Sequence, residues 1–394
     1  MRIISVGLGK RDFILFLLAS AVLGISQSID TSFFNNFLND NYHLTVYQRT
    51  ILEIPREFPG FAVVFITGLL FSLGDVRTAA IANLFGGLGI LGLAFWSPEY
   101  LPMIGWLAIY STGQHLFMPI SNSIGMNLAA EGQMGRRLGQ INSVNTAVFL
   151  LTSLSAALLF RFVEVNYHLA FSISAGAFLL SATLILLMKP HTGKRSGKRF
   201  VIRKEYNVFY GLNILFGARK QIFLTFGPWV LIKIFGQGVA TFAILSFFIA
   251  GLGIFFKPFI GHLIDSVGER IILAGEAICL IFICLGYAFS KSIFGNLGLE
   301  SITLYVICGL FVLDQMLAAV SIARATYLKK IAINDEDVSP TLSMGMTIDH
   351  LVAMFIPWLG GFAWTNLGYE YVFIGGALIA TLNLLLTTKI KIKT

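Results

Sequence analysis

Apolar residues fall in twelve long runs separated by short polar stretches. The runs lie near 12–38, 46–72, 76–96, 101–129, 137–161, 166–189, 206–235, 237–262, 270–289, 300–330, 340–365 and 370–388. A helix crossing the hydrocarbon core of a bilayer needs about 20 mainly apolar residues, and each run approaches or exceeds that length. The pattern predicts an all-α membrane protein with twelve transmembrane helices. Arg2, Lys10 and Arg11 ahead of Phe13–Leu18, with small residues at Ala19, Ser20 and Ala21, give the first run the look of a secretory leader. It continues to Leu38, past the apolar core of about 7–15 residues that a leader carries, and is expected to be a retained span.

Composition narrows the classes further. Of 394 residues, 56% are hydrophobic and only 12% charged, with a mean hydropathy of +0.79. Too few charges remain to cover soluble domains of this length, which excludes a soluble enzyme, a nucleic-acid-binding protein and a disordered chain. The net charge of +8 follows from topology instead. With the N-terminus placed in the cytoplasm, 19 of the 28 Lys and Arg residues fall on the cytoplasmic side, four outside and five within spans. That asymmetry puts both termini in the cytoplasm of a cell-membrane protein. Lys189–Lys204 carries seven basic residues and no acid, which suits a link lying against an anionic leaflet. It divides the chain into an N-terminal six-helix half (1–189), a basic linker (190–205) and a C-terminal half (206–394). Cys279, Cys284 and Cys308 stand inside apolar runs without metal-ligand spacing and read as small buried hydrophobes.

The halves resemble each other in their loops. Gly68, Ser72 and Arg77 between spans two and three match Gly261, Asp265 and Arg270 between spans eight and nine, at an offset of 193. Ser121 matches Ser321, and Leu138–Asn145 in span five faces Leu342–Asp349 in span eleven. Gly261-x-x-x-Asp265-x-x-Gly268-x-Arg270 resembles the signature loop of the major facilitator superfamily, whose conformational changes such a loop serves. The resemblance covers nearly the whole chain. It implies two pseudo-symmetric six-helix halves around a central cavity, a monomer, and secondary transport without a cofactor or metal. The first-half loop carries Ser72 where the family usually has an acid. Span four lacks the mid-helix Arg, and span five the Gly-Pro-rich stretch, of many drug–proton antiporters. No subfamily is recognised.

Charges inside a bilayer cost at least about 2.5–3.5 kcal/mol each, so they are candidate functional groups. Glu53, Arg56 and Glu57 share one face of span two, spaced i, i+3 and i+4, beside Pro55 and Pro59. Asp30 lies in the outer half of span one, and Arg219-Lys220 sit about 20 Å along span seven. Lys257, Glu276 and Arg324, near inner ends, suit snorkelling or structural roles. Gln114-His115, Asn145, Asp314-Gln315 and Asp349-His350 lie nearer mid-membrane. All the candidates fall on spans that line the cavity in the family, whereas spans three, six and twelve carry no mid-span acid or base. Arg56, Arg219, Lys220, Gln114, His115 and Asn145 are the candidate solute contacts. Asp314, Asp349, His350, Asp30, Glu53 and Glu57 are the candidate proton-coupling groups. The resemblance implies that the outer ends of spans one and two close against seven and eight, where Arg219 or Lys220 is expected to pair with Asp30, Glu53 or Glu57 when the cavity faces inward.

The expected activity is proton-coupled transport of a small organic anion or zwitterion. Proton-driven efflux of cationic or amphipathic compounds is the alternative, and an integral-membrane transferase a further one. The latter would want a large extramembrane loop or a carboxylate or metal motif. Charge asymmetry makes a direct prediction. In intact cells, Cys placed at Asn41 should react with an impermeant maleimide, and Cys at Gly193 only after the membrane is opened. Reaction at 193 in intact cells would reverse the orientation.

Overall fold

The computed structural model describes residues 9–129, 134–160, 162–189 and 202–391. Most of the basic link, 190–201, lies outside the described residues. The elements are α1 (Lys10–Tyr42), α2 (Val46–Ile51), α3 (Glu53–Leu69), α4 (Gly74–Phe95), α5 (Tyr100–Asn127), α6 (Met134–Leu159) and α7 (Tyr167–Leu186). They continue with α8 (Asn207–Lys233), α9 (Val239–Val267), α10 (Glu269–Asn296), α11 (Glu300–Leu317), α12 (Ser321–Ile331), α13 (Asp335–Leu367) and α14 (Tyr369–Thr387). The described residues form no strand. All twelve apolar runs are helical, and two of them are broken.

Run two breaks at Leu52. Thr45 caps α2, its side chain accepting the Gln48 backbone N–H while Gln48 reaches back to Thr45. Pro55 falls in the first turn of α3, where its missing N–H removes no helical bond. Run ten is interrupted by a 3-10 turn over Ala318–Val320, between α11 and α12. Nothing in its Ala-Ala-Val sequence forecasts that break. Among the described residues, nine helices are long and apolar enough to cross a membrane. The three remaining runs carry Glu53–Glu57, Gln114–His115 and Arg219–Lys220, whose polar groups interrupt the apolar pattern. The protein is a multi-pass helical membrane protein. Its large apolar side chains are freely exposed along the helices, Leu69 and Phe255 at 83% and 76%, as lipid contact requires.

The chain divides into two compact units. Unit one is Met1–Tyr42, Ala62–Arg195 and Val239–Ala250, and unit two is His43–Phe61, Ser196–Gly238 and Gly251–Thr394. Inside unit one, α1 packs on α6 and α7, and α4 packs on α5 and α7. Inside unit two, α8 packs on α13 and α14, and α10 packs on α11 and α14. The same packing scheme occurs twice, the structural form of the repeat. Phe16, Val76, Ile120 and Ile185 centre the apolar core of the first unit. Phe209, Ile264, Leu273 and Tyr327 centre that of the second.

Two glycines mark matched close approaches in the two units. A Cβ at Gly24 of α1 would lie 2.5 Å from the Asn145 carbonyl oxygen on α6. A Cβ at Gly217 of α8 would lie 2.6 Å from Asp349 Oδ1 and 2.9 Å from the Asp349 carbonyl oxygen on α13. Gly24 and Gly217 stand at the same offset of 193 as the loop residues, and Asn145 and Asp349 are the matched pair of spans five and eleven. Small residues bring membrane helices together in this way. Gly24→Val and Gly217→Val should each lower stability by about 1–3 kcal/mol through overpacking. Gly176→Val and Gly275→Val, with no atom within 4 Å of the added Cβ, should not. Thermal unfolding in detergent separates the two pairs.

Candidate functional site

The charged candidates gather in unit two. On α8 the adjacent bases turn to different helices, as a step of about 100° per residue requires. Arg219 is buried and pairs with Asp314 of α11, donating also to the Asp314 backbone oxygen at 3.1 Å. Gln315 donates to the other Asp314 oxygen at 3.1 Å. Lys220 pairs with Asp349 of α13 at 2.8 Å, and this pair is the more open of the two, at 22% and 14% exposure. Asp349 Oδ1, buried against Gly217, accepts no hydrogen bond among the described residues.

The next residue of α13 reaches the second span. His350 Nδ1 lies 2.8 Å from Glu57 Oε2, both side chains being buried. Glu53, fully buried, holds two bases, Arg49 four residues before it and Arg56 at 3.3 Å three residues after it. Arg49 also lies with its guanidinium 5.7 Å from the centre of the Trp229 ring. A Cβ at Gly361 would meet Thr50 Oγ1 at 2.5 Å, so α2 sits directly on α13. Arg219 and Lys220 are thus held by acids of the C-terminal helices, and Glu53 and Glu57 have other partners. Glu57 meets His350 instead of standing alone beside them.

Further along, Arg324 of α12 stands 3.6 Å from Glu276 of α10 and over the Phe216 ring, both charges being buried. Neither Glu276 oxygen accepts a hydrogen bond among the described residues.

Asp30, Gln114, His115 and Asn145 belong to unit one. His115 Nδ1 lies 3.0 Å from the Ser111 hydroxyl, and Gln114 donates to the Tyr110 hydroxyl at 2.8 Å. Asn145 donates to the Ser20 carbonyl at 2.8 Å, and Asp30 is half-buried. Buried hydroxyl pairs, Ser26–Ser174 at 2.6 Å and Ser28–Ser153 at 2.8 Å, tie α1 to α7 and α6. Hydroxyl and amide hydrogen bonds thus tie α1 to α6 and α7 in the first unit.

The signature loop adopts a sharp turn. Gly268, with φ at +87°, closes α9 and opens α10, and Gly74 with φ at +75° opens α4 in the same manner. Only a residue without Cβ takes that conformation cheaply. Asp265 and Arg270 are exposed, and Gly261 has open space around it. The buried acids are those just after the turns. Glu269 pairs with Lys330 at 2.8 Å, and Asp75 accepts from the Ser123 hydroxyl at 2.7 Å. These two acids were missed in the sequence, as was Arg49. The Gly-acid dipeptides at 74–75 and 268–269 carried the signal, one residue out of step with the offset of 193.

With this geometry in place, comparison with solved structures identifies the architecture. The fold is that of the major facilitator superfamily. A variant of the nucleoside transporter NupG matches with a TM-score of 0.77 at 13% identity, over 96% of this chain and 99% of that one. A D-xylose–proton symporter matches at 0.70 and 14%, over 96% and 97%. A bacterial homologue of the human lysosomal transporter Spinster, inward-facing and occupied, matches at 0.69 and 13%, over 95% of both chains. These neighbours are transporters and not enzymes. No family model and no curated protein sequence matches the chain.

Removing one partner of a buried pair strands the other, at a cost of about 3–5 kcal/mol. Arg219→Met and Asp314→Leu should each destabilise the protein by that order. The double variant should recover most of the loss, and additive losses in a denaturation cycle would mean the residues are not coupled.

Proposed function

We propose that this protein is a secondary active transporter of a small organic solute, anionic or zwitterionic, driven by a proton gradient. Transport would proceed by alternating movements of the halves 1–189 and 206–394, in a monomer of the cell membrane with cytoplasmic termini. The observation that carries the reading is the Lys220–Asp349 pair, partly open and adjoining His350–Glu57. A paired base and acid in a membrane interior can exchange partners at little net electrostatic cost. Protonation of Asp349 would release Lys220 to bind the anionic group of the solute, so that proton and solute load together. The open lone pair at Asp349 Oδ1 is where the proton would sit. Arg56, at 25% exposure, is a second cation for the same solute, and Arg219 is held in reserve by Asp314. Gln114, His115 and Asn145 are proposed as contacts for uncharged parts of the solute. Asp314, Asp30, Glu53, Glu57 and His350 are the other groups through which the proton could pass. The turns at Gly268 and Gly74 would act as pivots beside the conformational loop, Gly261 to Arg270.

The two contacts of span two with α13, Gly361–Thr50 and His350–Glu57, join the halves so defined. They would have to separate in one stage of the cycle.

A thermal-shift screen against organic anions, amino acids, sugars and cationic amphiphiles identifies the solute. Selective stabilisation by cationic amphiphiles would favour efflux instead. Asp349→Asn and Asp314→Asn are then assayed in proteoliposomes. The coupling variant should lose accumulation driven by a pH gradient while retaining exchange at equilibrium. If both variants still concentrate solute, neither acid couples, and attention moves to Asp30 and Glu53–Glu57.

A further inference from the structure

Eight acids are buried among the described residues. Seven of them accept a hydrogen bond, and Glu276 of α10 accepts none at either oxygen. Its counter-charge, Arg324 of α12, stands 3.6 Å away, too far for a hydrogen bond. A carboxylate buried without donors is a costly anion, and a bound proton removes that cost.

Arg324 has a second acid in reach. Its guanidinium lies over Phe216, and the next residue of α8, Gly217, is the one packed against Asp349. Arg324 accordingly feels the charge of Asp349 as well as that of Glu276. Asp349 Oδ1 accepts no hydrogen bond among the described residues and so has room for a guanidinium donor. Glu276, Asp314 and Asp349 with Arg324, Arg219 and Lys220 make a neutral set, all within unit two. Lys220, at 22% exposure, is the most open of the three bases.

The remaining neighbours leave this set to itself. From α11, Asp314 faces Glu276, and Arg219 of α8 acts on both Asp314 and Arg324. On α12, Tyr327 is buried a turn beyond Arg324, and Lys330 pairs with Glu269. On α10 itself Arg270 is exposed, and so is Cys279, contrary to the expectation for that thiol. Tyr287 stacks on Phe373 and Cys284 meets Gly376, so α14 runs antiparallel to α10. Its ionisable residues, Tyr369, Glu370 and Tyr371, therefore lie about 20 Å from Glu276.

We propose that Glu276 is a proton-binding residue and that Arg324 is its switch. A proton on Glu276 frees Arg324 to bind the open Oδ1 of Asp349, and Lys220 is released in exchange. The proton adds one positive charge to a neutral set, and the surplus emerges on the most open base. A proton first taken by Asp349 is passed to Glu276 as Arg324 moves the opposite way, so Asp349 regains a cation without recapturing Lys220. The solute that Lys220 then binds rests on the transport reading above, whereas the proton site and the exchange do not.

The test uses the full-length protein in lipid vesicles, and the probe is the proton itself. Infrared spectroscopy separates protonated carboxyl groups from carboxylates. Between alkaline and acid pH the protein should gain a carboxylic-acid band that Glu276→Gln removes and Asp314→Asn retains. Arg324→Gln, lacking the cation that favours the ionised form, should enlarge that band at a given pH. The exchange is read at Lys220 by acylation with acetic anhydride and peptide mass spectrometry. Glu276→Gln, neutral like the protonated acid, should be acylated at Lys220 faster by about ten-fold or more, as loss of a carboxylate partner requires. Lys330, held by Glu269, should react as before. Adding Arg324→Gln to that variant removes the displacing cation and should return Lys220 to its original rate. Lys220 unchanged in Glu276→Gln, or still fast in the double variant, would overturn the exchange. An acid band that survives Glu276→Gln would overturn the proton site. Glu276→Met, also neutral, serves where the glutamine variant does not fold. Neither readout involves a transported solute, so both stand apart from the outcome of the transport assays.

Discussion

An ionised group buried in a membrane protein must have a counter-charge at hand, and this constraint organises unit two. Arg219, Lys220, Glu53, Glu57 and Arg324 would each be prohibitive alone in hydrocarbon. Each is held by an opposite charge or a histidine, most often on another helix. The pairing fixes helix register as well as charge. Arg219 keys α8 to α11, Lys220 keys it to α13, and Glu276 keys α10 to α12. Such pairs add little net stability compared with apolar packing, but an incorrect register would strand a charge.

That same arrangement explains the contrast between the units. Hydroxyl pairs such as Ser26–Ser174 hold α1 to its neighbours with neutral hydrogen bonds, which cost little to desolvate. The close contact at Gly24 matches the one at Gly217, yet Asn145 occupies the position that Asp349 occupies in the second unit. One backbone scheme therefore carries a neutral amide in one copy and a carboxylate in the other.

Much of this was legible in the sequence. Span positions follow from run length, because the hydrocarbon core imposes that length on every crossing helix. The charged positions were equally plain, since a charge in an apolar run stands out against its neighbours. Their partners were not. Lys220 and Asp349 are separated by 129 positions, and only the close packing at Gly217 brings them together. Arg49 looked like an outer-side base, although it stands four residues before Glu53, the spacing at which charges pair along one helix. Glu269 and Asp75 were missed because the signature drew attention to Asp265, which lies exposed. The constant spacing of Gly24 and Gly217 was present in the chain, but a lone glycine in an apolar helix announces no contact until its neighbour is known.

The short 3-10 turn at Ala318–Val320 has a mechanical consequence. It stands in α11–α12 between the two charges that key that span to its neighbours, Asp314 on one side and Arg324 on the other. Rewinding three residues from 3-10 to α geometry shortens the span by about 1.5 Å and turns one end against the other by about 60°. Such a segment works as a ratchet tooth. Each geometry offers Arg324 a different angular setting relative to Asp314, so a change of partner at one end could be passed to the other as rotation, without either end unfolding.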